Sequence, residues 1–394
     1  MPIVFLILIV SGIAIRIFRQ RFNQTLSDAP KLLTPIAALE PFPTVSIVIP
    51  AYNEADNIEA CVLSVLESTA IEANHLEVWI VDDQSIDETQ TIARLIQESR
   101  LDPRLKLLAG QPRPNAETWM GKNWACAQAS EQATGEFLLF IDADVRLKSG
   151  CVEAAITQAQ QQQIDLLSIV PAIMCQHWSE WIVQPIVISL LSVGFNFGAV
   201  NDPESEAAFA AGPFMLFRRS AYNQIGGHRA VRNYVVEDVQ LAHRIKQQRL
   251  KLWYGLGAEF VDVRMYRSFS ALWEGWTKNW YLGSNRNLQA ALYCIFATLM
   301  IFTVPWLGLL IALINLAIAP FNGWSLGVLG LSAIEIFQQY QFRRRSEALT
   351  NLPTRYWWTM GIGGVLVSAI VLTSIVKTET GWGWTWRGRS LTKD

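Results

Sequence analysis

Two carboxylates separated by one small residue, Asp142-Ala143-Asp144, close an apolar run that begins at Phe137. Side chains alternate along an extended backbone, so positions i and i+2 point to one side where such a strand leaves its sheet. Asp142 and Asp144 would then present hard oxygen ligands together. That donor type suits Mg²⁺ or Mn²⁺, which take one or two protein carboxylates and complete their shell with phosphate and water. An isolated Asp-x-Asp is more often a solvated strand end, but here other strand ends are polar too. Runs at 45–49 and 76–81 lead into Pro50-Ala-Tyr-Asn-Glu54 and Val81-Asp-Asp-Gln-Ser-Ile-Asp87. Lys122, in Trp119-Met-Gly-Lys-Asn-Trp-Ala125, falls near the start of a helical stretch, where free backbone N–H groups and the ammonium would attract phosphate.

The elements that must position these residues alternate in type. Strands at 45–49, 76–81, 137–141 and 165–170 are interleaved with helical patterns at 55–68, 89–99 and 149–162. Such alternation predicts an α/β fold with a mostly parallel sheet covered by helices on both faces. Ligands of such sheets bind beyond the carboxyl ends of the strands, where the polar clusters lie.

The chain is 51% hydrophobic, which is high for a soluble protein and points to a bilayer. Its 16 tryptophans gather beside apolar runs, at 178/181, 273/276/280, 357/358 and 382/384/386, as expected of rings at headgroup depth. A net charge of −2 gives no footing for a nucleic-acid partner. Five cysteines, odd in number and without paired spacing, indicate neither a disulfide framework nor a zinc site.

The order PAYNE, VDDQSID, Gly-Lys before a helix, and DAD resembles the nucleotide-sugar domain of family 2 glycosyltransferases with the GT-A fold. The resemblance covers about residues 44–290. It implies that Tyr52 and Asp83 contact the nucleobase, that Glu54 lies in the nucleotide pocket and that Lys122 faces the diphosphate. Asp144, helped by Asp142, would hold the metal. Glu237-Asp238 matches the family's acidic pair, whose second member is implied to be the general base; a helix cap is the plainer alternative for Asp238. The stretches 211–219 and 225–228 resemble the acceptor side of the pocket. Trp276-Thr-Lys-Asn-Trp280 stands where processive members carry Gln-x-x-Arg-Trp, and loss of that arginine implies single transfer to a small acceptor, with Lys278 and Arg286 as the nearby cations.

The expected organisation is an N-terminal transmembrane anchor at 1–20, a linker at 21–43, a cytosolic catalytic domain at 44–289, a transmembrane region of three spans at 290–376 and an interfacial tail at 377–394. Arg16, Arg19 and Arg21 place the domain in the cytosol, on the inner face of a bacterial cytoplasmic membrane. The apolar stretch 182–200 is expected to lie at the membrane surface or under the sheet, because a crossing there would separate Asp142 and Asp144 from Asp238.

The anchor, the altered Gln-x-x-Arg-Trp and the Trp-Arg-Gly-Arg tail resemble hopanoid-associated and carotenoid (chlorobactene-type) glucosyltransferases. The resemblance implies an inverting transfer from a nucleotide-sugar, with a lean to UDP-sugar, to the hydroxyl of an isoprenoid lipid. Alternatives are a polyprenyl phosphate, a glycerolipid or sphingolipid acceptor, or a membrane scaffold with a relict nucleotide pocket.

Overall fold

The computed structural model describes residues 1–35, 41–114, 116–318 and 322–391, so residues 36–40 of the expected linker and 392–394 of the tail lie outside it. Helix α1 (Pro2–Asp28) leads to β1 (Val45–Ala51), α2 (Ile58–Ser68), β2 (Leu76–Asp82), α3 (Thr89–Arg100) and β3 (Leu105–Ala109). Next come α4 (Gly121–Gln132), β4 (Phe137–Ile141), β5 (Val145–Leu147), α5 (Cys151–Gln161), β6 (Leu166–Val170) and β7 (Ala172–Ile173). Helices α6 (Trp178–Gly194) and α7 (Phe197–Asn201), strand β8 (Phe214–Arg218), and helices α8 (Arg219–Gln224), α9 (Gly227–Ala230) and α10 (Glu237–Gln247) follow. Strands β9 (Leu252–Leu256) and β10 (Val261–Val263) and helix α11 (Phe269–Gly283) complete this part.

Seven strands form one sheet in the order β3-β2-β1-β4-β8-β6-β9. All neighbours are parallel except β8, which runs antiparallel to β4 and β6. Strands β5, β10 and β7 make a small second sheet. The period-2 alternation divides the core. Leu138 and Phe140 of β4 face one layer, with α4 and α10, whereas Phe137, Leu139 and Ile141 face the other, with α2 and α5. Burial on both faces explains the unbroken apolar run that ends at Asp142.

The first layer is continuous with the apolar helices: Phe18 and Phe22 of α1 and Phe302, Phe342 and Met360 share it with Phe140 and Phe217. Helix α6 is packed in the same layer, with Val183, Ile186 and Val187 buried, so it lies under the sheet rather than exposed at a surface. Its Gln184 accepts a hydrogen bond from Trp276 Nε1 at 2.9 Å.

Among the described residues, three helical stretches are long and apolar enough to cross a membrane: Pro2–Asp28, Leu288–Ile318 and Thr354–Thr380. The second contains α12 (Leu288–Thr298), a π-helical turn over Leu299–Thr303 and α13 (Val304–Ile318). Pro305 in α13 has no N–H and frees the carbonyl four residues earlier, that of Ile301. Gln339 Nε2 donates to Ile301 O at 2.7 Å, and Ser11 Oγ to Met300 O at 2.8 Å, which satisfies the opened turn from neighbouring helices. The expected span at 327–337 falls inside α14 (Gly323–Thr350), which buries Glu335 and Gln339 and, though long enough, is not as apolar. Helix α15 (Met360–Thr380) precedes a hairpin of β11 (Thr385–Trp386) and β12 (Arg389–Ser390).

Candidate active site

Strand order reverses between β1 and β4, which places a crevice at their carboxyl ends. Both β1 and β2 leave the sheet through left-handed residues, Asn53 (φ 53°) and Gln84 (φ 60°), and the Asp83 amide donates to Ala51 O at 2.8 Å. Tyr52, Glu54 and Asp83 are thereby brought to one cavity of about 630 Å³ together with Lys122, Asp142, Asp144, Glu237 and Asp238. Of the residues singled out in the sequence, these eight and Lys278 line it, whereas Arg286 does not.

Lys122 is the centre of the polar network. It is the second residue of α4, and its Nζ lies 2.6 Å from Asp142 Oδ1 and 2.8 Å from Glu237 Oε1. Burial alone would lower this amine's pKa, but the two carboxylates reverse that and hold it well above its ordinary value. Burial also pushes Glu237 upward, yet the Lys122 charge and hydrogen bond outweigh it and keep the carboxyl below its usual range.

Asp238 lies one residue inside α10, whose N-cap is Val236, so it is not the cap. Its Oδ2 accepts from the Gly212 amide at 3.0 Å and its Oδ1 from Val239 N at 2.8 Å. Burial, and then the neighbouring Glu237 charge, push Asp238 up to about 7. Gly212 permits this approach, because a Cβ there would stand 2.9 Å from Asp238 Oδ2. Gly121 is needed similarly, since a Cβ would meet Asp83 Oδ2 at 2.5 Å.

The loop before α10 is fixed to α4. Asn123 is fully buried and donates to Val231 O at 2.8 Å and Tyr234 O at 2.9 Å, and the Met120 amide donates to Arg232 O at 2.7 Å. The segment carrying Lys122 thus positions the segment carrying Glu237 and Asp238.

The fit for a divalent cation rests on Asp144. Its Oδ1 is buried without a hydrogen-bond partner, and burial followed by the charges of Asp142 and Glu54 raises its pKa well above the ordinary carboxylate value. Such crowding of carboxylates is what a cation would relieve. Among the described residues no three His, Cys, Asp or Glu side chains converge to hold an ion unaided. A cation at Asp142 and Asp144 would therefore take further ligands from phosphate and water.

Three cations in the pocket were not assigned from the sequence. Arg113 reaches Asp83 Oδ2 at 3.4 Å, Arg387 pairs with Glu54 at 2.6 Å, and Arg389 pairs with Asp83. The last two give the expected interfacial tail a place in the site, because residues 385–391 lie over the strand ends. Trp-Arg-Gly-Arg was visible as a motif, but nothing local in it points to acidic partners some 300 positions earlier. Lys278 also lines the cavity, lowered to about 8 by burial, with Nζ 3.9 Å from the Trp386 ring centre.

Comparison with known proteins agrees with this architecture. Residues 46–226 match the model of glycosyl transferase family 2, and residues 137–375 that of glycosyl transferase family group 2. The chain belongs to glycosyl transferase family group 2. It is 28% identical over 246 residues to a 4,4'-diaponeurosporenoate glycosyltransferase of Staphylococcus haemolyticus, a match covering 61% of this chain and 62% of the relative. The enzyme of the same name from Staphylococcus aureus strain MRSA252 is 30% identical over 243 residues, 61% of each chain. The solved mannosyltransferase PcManGT of Pyrobaculum calidifontis, in complex with GDP-Man and Mn²⁺, superposes with a TM-score of 0.55 at 17% identity. That match covers 96% of this chain and 99% of the other, and it shows a shared GT-A fold.

Proposed function

We propose that the protein is an inverting, metal-dependent, non-processive hexosyltransferase that moves a sugar from a nucleotide-sugar, a UDP-sugar by preference, to the hydroxyl of a membrane isoprenoid, a carotenoid or hopanoid. The observation that carries this reading is the single Lys122 ammonium bridging Asp142 and Glu237, which joins the strand-end carboxylates to the α10 pair in one cavity.

In this reading Tyr52 and Asp83 receive the nucleobase and Glu54 lines the nucleotide pocket. Asp144 and Asp142 would hold Mg²⁺ or Mn²⁺, whose charge supports departure of the diphosphate. Lys122 adds preorganised positive charge where negative charge grows. Glu237 holds Lys122 in place, and Asp238 takes the acceptor's proton on Oδ2 as the acceptor oxygen attacks opposite the leaving group. A pKa of about 7 suits that task near neutral pH.

The apolar helices support a lipid acceptor, because their core is continuous with the layer under the cavity. Arg19 Nη2 donates to Gln341 Oε1 at 3.0 Å, which sets the arginine-rich end of α1 beside Arg343, Arg344 and Arg345. Positive charge gathered at one end of the bundle supports a cytosolic catalytic domain.

The test is transfer by the purified protein from UDP-, GDP- and dTDP-hexoses to a hydroxycarotenoid, with polyprenyl phosphate as the rival acceptor. Asp238→Asn should bind nucleotide without turnover. Unchanged cellular function in that variant would favour the scaffold. A second reading draws on the acceptor in the staphylococcal relatives' name, a carboxylate. Such an acceptor arrives ionised and has no proton for Asp238 to take. A product ester cleaved by mild alkali, rather than an alkali-stable glycoside, would identify it.

A further inference from the structure

The hairpin of β11 and β12 turns at Arg387 (φ 47°) and Gly388 (φ 81°), the two left-handed residues that a type I′ turn requires. Its root is fastened to α11, where Thr385 Oγ1 donates to Glu274 Oε1 at 2.7 Å, and at the turn the Arg387 amide donates to Oε2 at 3.3 Å. The tip reaches into the crevice. Arg387 pairs with Glu54 at 2.6 Å and donates to the carbonyls of Tyr52 and Asn53 at 3.0 and 2.7 Å. Arg389 pairs with Asp83, donates to the Asp83 carbonyl at 2.6 Å, and sets its guanidinium carbon 3.3 Å from the Tyr52 ring centre.

A guanidinium is planar, with a face that stacks on aromatic rings and in-plane N–H donors that match a carboxylate. A nucleobase offers the same two features. Arg389 therefore satisfies Tyr52 and Asp83 in the manner assigned above to the base, and Arg387 engages Glu54 beside it. A base cannot share a ring face already covered at 3.3 Å. We propose that the C-terminal hairpin is a tethered competitor of the donor: Arg389 occupies the nucleobase position, and a nucleoside diphosphate must displace the hairpin tip to bind. This rests on the donor-site reading of Tyr52 and Asp83. The Thr385 bond to Glu274 lies at the root, outside the contested positions, so the tip can swing away, giving up the Arg387 amide bond, while the tail stays attached.

The test is calorimetric titration of the full-length protein in detergent with UDP, GDP and dTDP in the presence of MnCl₂. Charged hydrogen bonds of this kind contribute enough that Arg389→Ala and Arg387→Ala should each bind the preferred nucleotide about tenfold more tightly than the unaltered protein. Amide hydrogen exchange across 385–391 of the unaltered protein should accelerate when that nucleotide is added. Weaker binding by Arg389→Ala would make the hairpin a fixed wall of the site and overturn the proposal. Unchanged affinity would do the same. Should a variant fold poorly, the exchange measurement decides alone, and nucleotide binding with no change at 385–391 overturns the competitor while leaving the donor site intact. Failure of the unaltered protein and both variants to bind any of the three nucleotides would remove the donor-site reading and the competitor with it.

Discussion

The amide of Gly212 donates to Asp238 Oδ2 at 3.0 Å, so the backbone entering β8 aims a carboxylate in the first turn of α10. The group it aims is pushed up to about 7, by burial first and by Glu237 second. If Asp238 takes the acceptor's proton, activity is low below that pH, where the carboxyl is protonated, and rises as the pH passes through it. Glu237→Gln removes the neighbouring negative charge and frees Lys122 from one of its partners. Both changes favour ionised Asp238, so the acid limb of kcat against pH should move to lower pH. An unmoved limb would show that another group governs it.

Lys122 stands between two carboxylates, and Glu237 beyond it is nearly buried. Lys122→Met leaves that carboxylate without its cation. Breaking a fully buried pair costs roughly 3–5 kcal/mol, and because the Lys122 and Asp142 side chains keep 29% and 30% exposure, a loss of about 2 kcal/mol is expected here. Denaturant unfolding measures it. Calorimetry should also show weaker UDP binding, since the phosphate loses a preorganised cation.

The unpartnered oxygen of Asp144 gives the metal expectation a direct readout. UDP should bind the unaltered protein more tightly with MnCl₂ than with EDTA. Asp144→Asn should bind UDP with an affinity that Mn²⁺ no longer raises, while its thermal midpoint stays near that of the parent or rises, because a crowded carboxylate has been neutralised. Equal metal dependence in both proteins would assign the ion elsewhere.

The legible part of the fold was the part governed by local pattern. The strand ends at Tyr52, Asp83 and Asp142 could be read because β1, β2 and β4 are buried on both faces and stop abruptly at polar residues. Strand β3 escaped notice because it is an edge strand, half-exposed and carrying Lys106, so its apolar signal is weak. The insertion of β8 between β4 and β6 leaves no periodic trace, since pairing partners are a tertiary property. The tail's place in the site was hidden for the same reason at longer range. Arg389 and Asp83 are 306 positions apart, and a basic, tryptophan-rich terminus beside an apolar helix has the composition of a headgroup anchor.

Asn123 is one position from Lys122, and its role followed from no motif. Fully buried, its amide donates to the carbonyls of residues 231 and 234. Asn123→Ala would remove both bonds, leaving the Val231 carbonyl only the Tyr234 amide, and cost about 1–3 kcal/mol of stability, readable by denaturant unfolding. The loop they belong to carries Glu237 and Asp238 at its far end, whereas Tyr52 and Asp83 follow β1 and β2, and the Asn123 amide donates to the loop instead. At temperatures where the variant remains folded, kcat should therefore fall by about tenfold or more while the affinity for UDP changes little, because misplacing a reacting group by about 1 Å is that damaging. Equal losses in both would mean that Asn123 supports the whole domain rather than the placement of the α10 carboxylates.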